Sequence, residues 1–271
     1  MRRLHALGRA TALAVALAAA TMAATMAAAT SASTAVAYRT VEVGRFESVL
    51  PQGNVPTASA PVDVAPFALR EAPVTVAEFA AFVAAHPEWR RDRVPVVFAE
   101  RRRYLSDWRA PLVPDAPPHS PVVNVSWYAA RAYCASEGAR LPTWLEWEAA
   151  AAADETRRDA RADPAWRARI LAWYERPTPD PLPDVGGAPN AWGVRDLHGL
   201  VWEWVDDFNA LFIAGDSRTQ GDPDLLRFCG AGAINIVDRD SYAVLMRIAL
   251  LSSLDAADGT PNLGFRCAKS L

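Results

Sequence analysis

The sequence predicts an α+β fold with an unusually small share of regular secondary structure. Capping signals mark three short helices between residues 75 and 153, and an opening strand precedes them. Eight of the ten tryptophans fall between Trp127 and Trp204, a density typical of a core in which indoles fill the space between irregular segments. Few segments after residue 190 have the period of a helix or strand. We therefore expect the second half of the chain to be low in regular structure, against the usual proportions.

The first 37 residues predict a secretory signal. Three arginines precede an apolar run over residues 10–29, and Ala35-Val36-Ala37 closes the segment with an Ala-x-Ala cleavage pattern. An uncleaved membrane anchor is the alternative, because the run is long enough to span a bilayer. We expect cleavage near Tyr38, no stable membrane anchor afterwards, and an exported chain that is periplasmic or secreted.

The charge balance indicates which partners to exclude. The chain has a net charge of −3, and residues 1–37 hold three arginines and no acid, so residues 38–271 have a net charge of −6. A mildly acidic chain of this kind argues against nucleic acid or an anionic membrane as the partner. With 51% hydrophobic residues, the chain can also bury a substantial core, which excludes extensive disorder.

The N-terminal part of the mature chain is predicted as one strand over residues 38–46 and a loop over 51–66. The first helix then begins at Thr75, which forms a capping box with Glu78, and Pro87 marks its end. Residues 88–121 hold six prolines and little periodicity, which predicts an ordered loop. The cluster of arginines within that loop is interpreted as solvated surface.

Two more capped helices are predicted. Ser126 caps a helix that runs to about Glu137 and ends at Gly138, and Thr143 caps a third, Ala-rich helix that runs to Ala153. The charged segment 154–169 is predicted as a helical insertion. Residues 173–189 are predicted as a loop.

Five ordered motifs resemble one family, the formylglycine-generating enzyme or sulfatase-modifying-factor family. They are residues 66–79 (PFAL…PVT…EF), 121–134 (PVVNVSW…AYC), 140–148 (RLPT…EWE), 190–204 (N…WG…DLHGLVWEW) and 263–267 (LGFRC). The resemblance implies a C-type-lectin-like α+β fold over residues 66–271, with the signal over 1–37 and an N-terminal strand and loop over 38–65. It also implies a structural disulfide between Cys134 and Cys267, which leaves Cys229 as the odd thiol.

The oxidase members of this family hold copper(I) with two cysteine thiolates shortly before the last motif. Soft thiolates select copper(I), but residues 240–253 contain no cysteine and only Met246 supplies sulfur. We therefore expect no copper and no formylglycine generation by that route. A second branch uses histidine-bound iron, but His86, His119 and His198 are far apart in the sequence, and His198 is interpreted as a turn histidine bonded to backbone. Neither haem nor a nucleotide is expected.

Calcium is the remaining metal that the resemblance implies. Family members bind it near the VWEW motif, which maps the site to Glu203 and the backbone carbonyls of Gly199 and Val201. The family's asparagine is Leu200 here, which removes one oxygen ligand. The alternative is a structural salt bridge from an arginine such as Arg266 to Glu203.

The family's substrate groove maps to the region of Asp238, Tyr242 and Arg247. Arg247 is a candidate anchor for an anionic or backbone group of a substrate, and an ion-pair network within a loop-rich interior is the alternative. Cys229 is the candidate catalytic thiol, although its apolar flanks give no reason for a lowered pKa.

Three functions follow from these observations. The first is a non-oxidase exported protein that binds a protein or peptide client during the maturation of that client. Residues 197–204 and 228–232 resemble accessory members found beside periplasmic nitrite reductases, which implies a periplasmic metalloenzyme as client. The second is an enzyme of altered chemistry that uses Cys229 or an unrecognised metal site. The third is a lectin-like ligand-binding module.

Overall fold

A three-stranded antiparallel sheet joins the two ends of the described chain. The computed structural model describes residues 36–49, 61–209 and 242–271, so the predicted signal lies outside the description. In this sheet β4 (Phe67–Arg70) lies between β1 (Tyr38–Val41) and β9 (Ala268–Ser270). Residues 66–79, the first of the five motifs, thus include the middle strand of this sheet.

Three smaller sheets complete the described strands. They pair β2 (Gly44–Phe46) with β3 (Val62–Val64), β5 (Trp108–Ala110) with β6 (Val113–Pro114), and β7 (Trp202–Glu203) in parallel with β8 (Leu263–Gly264). The single strand predicted over 38–46 is wrong, because Gly44 at φ +72° redirects the chain and residues 44–46 enter a different sheet. Residues 62–64 and 108–114 were predicted as loop and also contribute strands.

Five helices lie in the described part: α1 (Val76–Ala85), α2 (Trp127–Ser136), α3 (Trp144–Ala151), α4 (Pro164–Tyr174) and α5 (Tyr242–Ser252). A 3-10 helix, Pro87–Trp89, follows α1. The predicted caps are confirmed: Thr75 and Thr143 each form a capping box, and the Ser126 hydroxyl accepts from the backbone N–H of Ala129. Within the described ranges no helix has the length and apolar character needed to cross a bilayer.

Two helix predictions need correction. The insertion predicted as helical over 154–169 becomes helical only at Pro164, because Asp154 accepts backbone N–H groups of Thr156 and Arg157 and holds the preceding residues in a tight turn. Helix α5, with eleven residues, was not predicted, although the described residues after 190 are otherwise low in regular structure, as expected. That helix is apolar at nearly every position, so no polar face marks its period in the sequence.

The core lies between the three-stranded sheet and helices α1 to α3. Phe79, Tyr133 and Phe265 form an aromatic centre with ring centroids 5.4–6.0 Å apart. Tryptophan side chains hydrogen-bond to the backbone of irregular segments. Trp204 Nε1 donates to the Val125 carbonyl and Trp127 Nε1 donates to the Val205 carbonyl, both at 3.0 Å. The predicted use of tryptophan between irregular segments is confirmed, and it fixes β7 beside α2 and α3.

Candidate functional site

Glu203 and Arg266 form a completely buried ion pair at the centre of the molecule. Glu203 lies in β7 and Arg266 precedes β9, and both side chains have an exposed fraction of 0%. Arg266 Nε and Nη2 donate to both carboxylate oxygens at 2.7–3.0 Å. Trp147 Nε1 adds a third donor to Oε2 at 2.8 Å. The pair is thus fully hydrogen-bonded, which is the condition under which two buried charges are tolerated.

The hydrogen-bond partners of the Glu203 carboxylate do not fit the calcium site that the resemblance implies. Both carboxylate oxygens already accept from Arg266 and Trp147, and the guanidinium supplies the compensating positive charge. Calcium requires several oxygen ligands with free lone pairs. Among the described residues no three His, Cys, Asp or Glu side chains are grouped so that they could hold a metal ion. The structure therefore agrees with the alternative prediction, a structural salt bridge from Arg266 to Glu203.

Arg247 on α5 lies beside this pair and is itself buried, with an exposed fraction of 2%. Its Nη2 donates to the Glu203 backbone carbonyl at 2.5 Å, and its guanidinium lies 3.5 Å from the centre of the Trp147 ring. Burial lowers the pKa of Arg247 to about 10. The Arg247 side chain therefore stabilises the positions of β7 and α3 from inside the protein. The contact with a substrate that the sequence predicts for Arg247 stays a prediction.

A cavity of about 610 Å³ is lined by residues of α3, α4 and α5 and by the chain at residues 47–49, and Trp147 is among its lining residues. Glu148 forms part of its wall and is buried; its carboxylate accepts from the Ser48 hydroxyl at 2.5 Å and the Val49 N–H at 2.9 Å. Burial raises the pKa of Glu148. Apolar and aromatic side chains, including Trp166 and Ile170, supply most of the remaining wall.

His198 lies between this cavity and a second one of about 310 Å³, since it lines both. Its Nε2 is 2.9 Å from the Ala151 carbonyl, as predicted for a turn histidine bonded to backbone. Burial lowers the pKa of His198 to about 4, so the ring is neutral near pH 7 and the proton on Nε2 is assigned by that carbonyl. Nδ1 has no partner among the described residues.

The structure contains the disulfide between Cys134 and Cys267 that the resemblance implies, with the Cα atoms 5.4 Å apart. It ties α2 to the chain just before β9. Cys229 and Asp238 lie outside the described residues, and so does the side chain of Tyr242. Of the residues mapped to the substrate groove, only Arg247 is described in full.

Sequence reasoning missed Glu148, the buried carboxylate in the cavity wall. Trp144, Trp147, Glu148 and Ala151 are spaced 0, 3, 4 and 7 along α3, which places all four on one helix face, and all are buried. This spacing could have identified Glu148 in the sequence, because an acid on an otherwise apolar helix face requires buried hydrogen-bond donors. One such donor is local, since Trp144 Nε1 on the same helix face donates to the Glu148 carboxylate at 2.8 Å. The other two come from residues 48 and 49, about 100 residues away, and no local pattern identifies them.

A family model described as the sulfatase-modifying factor enzyme 1-like domain matches residues 23–271. The formylglycine-generating enzyme of Streptomyces coelicolor is 35% identical over 175 residues, which cover 56% of this chain and 53% of that protein. The inactive C-alpha-formylglycine-generating enzyme 2 of Bos taurus is 31% identical, covering 59% of this chain and 55% of that protein.

A further relative has a different named activity. The hercynine oxygenase of Mycolicibacterium thermoresistibile is 34% identical over 169 residues, which cover 53% of this chain and 36% of that protein. The chain thus spans about half the length, or less, of these relatives. The predicted family and its α+β fold are confirmed.

Proposed function

Because the chain belongs to the sulfatase-modifying factor enzyme 1-like family, we propose that it is an exported member that lacks copper-dependent cysteine oxidation. In this proposal it acts by binding another exported protein during the maturation of that protein. A periplasmic metalloenzyme is the client class that the narrower sequence resemblance implies. The relatives include proteins named as formylglycine-generating enzymes and others named as inactive, so loss of the oxidase reaction within this family has a precedent.

The pairing of cysteines carries the proposal. The chain has three cysteines, and the disulfide uses Cys134 and Cys267. Cys229 is then the one remaining thiol, whereas copper(I) held as in the oxidases needs two thiolates. The helix α5, which precedes the last motif, has Met246 as its only sulfur-containing residue. The residues present therefore do not fit a two-thiolate copper site.

The oxidase question is settled by measuring thiols, copper and oxygen on the exported protein. Thiol titration in denaturant without reductant should give one thiol per chain, and adding copper(I) and a cysteine-containing peptide should give no oxygen uptake above that of the peptide and copper alone. The S. coelicolor enzyme serves as the positive control. Copper-dependent oxygen uptake with conversion of the peptide would overturn the proposal.

A separate experiment tests the maturation role and the export that it requires. N-terminal sequencing of the exported protein should begin near Tyr38. Deleting the gene should lower the activity of one or more exported metalloenzymes, and both the wild type and Cys229→Ser should restore that activity. If the wild type restores it and Cys229→Ser does not, Cys229 is a catalytic thiol and the enzyme of altered chemistry is the correct alternative.

A further inference from the structure

An exposed apolar and basic turn, residues 95–103, projects from the loop between α1 and β5. Val96, Val97 and Phe98 have exposed fractions of 59%, 64% and 39%, and three arginines follow them at positions 101–103. Single exposed apolar side chains are normal on protein surfaces, whereas consecutive ones mark interaction sites. We call residues 95–103 the apolar–basic turn.

The turn is held in one conformation by its own backbone and by the core beneath it. The N–H groups of Phe98 and Ala99 donate to the Pro95 carbonyl at 2.9 and 3.2 Å, and the Glu100 N–H donates to the Ala257 carbonyl at 2.9 Å. Ala99 is completely buried under the turn. The exposed valines therefore stand on a fixed support, and binding through them orders few additional residues.

Two arginines of the turn lack an ion-pair partner in the part of the chain that the structure describes. Arg101 and Arg102 are exposed and form no ion pair with any described residue, whereas Arg103 lies 3.7 Å from Asp258. The carboxylate of Glu100 accepts backbone N–H groups of Arg102 and Arg103 and stays beside its own turn. Residues 90–103 hold six arginines against two acids, in a chain whose net charge is −3. The net charge of residues 90–103 thus has the opposite sign to the net charge of the whole chain.

We propose that the apolar–basic turn is a docking surface for a protein segment in which carboxylates flank apolar side chains. The valines and Phe98 would bury against the apolar side chains, and Arg101 and Arg102 would pair with the carboxylates. This inference rests on the proposed function, since it describes the segment of the client that is recognised.

Charge distinguishes a protein segment from a membrane as the occupant. An anionic bilayer is an extended plane, so it would face other parts of the protein as well as the basic turn, and residues 38–271 as a whole have a net charge of −6. A short peptide segment needs complementarity only within about a Debye length of the two arginines, about 8 Å at physiological ionic strength. The local patch therefore fits a peptide better than a surface.

The test measures binding of defined probes to the exported protein by fluorescence anisotropy. The probe is a labelled peptide in which Asp and Glu alternate with Leu and Phe, and a matched peptide has Lys in place of the acids. The acidic peptide should bind with an affinity that falls with added salt, and the lysine peptide should bind at least about 10-fold more weakly. Equal binding of the two peptides, or no binding of the acidic one, would overturn the proposal.

Matched variants locate the binding surface. Arg101→Glu with Arg102→Glu should weaken binding about 10-fold or more, and Val97→Ser about 3-fold, which correspond to about 1.4 and about 0.6 kcal/mol. Arg45→Glu with Arg169→Glu changes the charge equally elsewhere, and Leu271→Ser removes another exposed apolar side chain; neither should matter. Equal effects in both sets would mean nonspecific attraction and overturn the proposal.

Vesicles of phosphatidylglycerol and phosphatidylethanolamine test whether a membrane, and not a peptide, binds the apolar–basic turn. Binding to vesicles that Val97→Ser abolishes, without binding to the acidic peptide, would identify a membrane as the occupant and overturn the peptide proposal. Oxygen uptake with a cysteine peptide would instead overturn the proposed function. Because these are different measurements on the same sample, the two failures are distinguishable.

Discussion

At the scale of single residues, the Glu203–Arg266 pair determines how the centre of the molecule is held together. Arg266 contacts more than the carboxylate, since Nη2 also donates to the Arg195 carbonyl at 2.8 Å and Nη1 to the carbonyls of Arg70 and Glu71 at 3.2 Å. One guanidinium thus connects β7, the end of β4 and the chain before His198. The arginine of the LGFRC motif therefore has a structural role, which is to connect these three segments.

Glu203→Gln should lower the free energy of unfolding by about 3–5 kcal/mol, because it leaves the charge of Arg266 buried without a counter-charge. Urea denaturation with the disulfide intact measures this change. The control is Glu155→Gln, which breaks an exposed ion pair to Arg169 and should cost less than about 1 kcal/mol. Equal effects of the two substitutions would show that the central pair is not buried in solution.

The stability of the protein should depend on the protonation of His198. In the unfolded chain this ring takes up a proton near its ordinary pKa of 6.5, whereas in the folded protein burial delays uptake until about pH 4. The unfolded state thus binds more protons in this window, and stability falls as the pH falls from about 6.5 to 4, by up to about 3 kcal/mol.

Comparison with His198→Gln isolates this contribution. Glutamine retains an N–H donor for the Ala151 carbonyl but does not titrate, so the difference in unfolding free energy between the two proteins should shrink or reverse between pH 7 and pH 4. Carboxylates that titrate in the same range are common to both proteins and cancel. Parallel pH profiles would contradict the assignment of a neutral, buried imidazole.

At the scale of elements, local chemistry made some of the structure predictable. The three capped helices followed from Thr75, Ser126 and Thr143, because a side-chain oxygen that accepts an N–H two or three residues later is a property of adjacent residues. The short strands β2 and β3 were not predictable. Three residues are too few to establish an alternation, and their pairing connects residues 44–46 with 62–64 across an intervening segment.

The parallel pair of β7 and β8 requires the glycine of the LGFRC motif. A Cβ built at Gly264 would lie 2.6 Å from the Val122 carbonyl oxygen, which is backbone and cannot rotate away. Gly264→Ala should therefore lower the unfolding free energy by about 1–3 kcal/mol or more.

The control for this substitution is Gly44→Ala. A Cβ at Gly44 meets nothing within 4 Å, but the backbone has φ +72°, so the cost should be only about 1 kcal/mol. Chemical denaturation of both variants compares a steric clash with a conformational penalty. A smaller effect at Gly264 than at Gly44 would contradict the close approach of Val122 and β8.

At the scale of the whole molecule, the disulfide closes a loop over about half of the 271-residue chain, since its cysteines are 133 residues apart. In the chain-entropy model such a loop contributes about 5 kcal/mol. Replacing both Cys134 and Cys267 with Ala should shift the urea midpoint strongly downward, while Cys229→Ser should leave it nearly unchanged. A shift of similar size in both would place Cys229 in a structural role.

The candidate site was predictable to a different degree for each residue. Glu203, Arg266 and the disulfide were located by motifs, because the family pattern retains side chains that meet only in three dimensions. The burial of Arg247 was not predictable, since its packing on Trp147 depends on where α5 lies against α3. The same holds for two of the three donors to Glu148, which come from residues 48 and 49, far away in the sequence.

The order β1-β4-β9 in the main sheet has a consequence for biosynthesis. The middle strand has β1 on one side and β9 on the other, so the sheet cannot be completed until β9 has been synthesised and has left the ribosome. A chain caught partway through a translocation channel would still be open along one side of β4. If the chain is exported as we propose, this strand order helps to keep it open enough for translocation until β9 has been made.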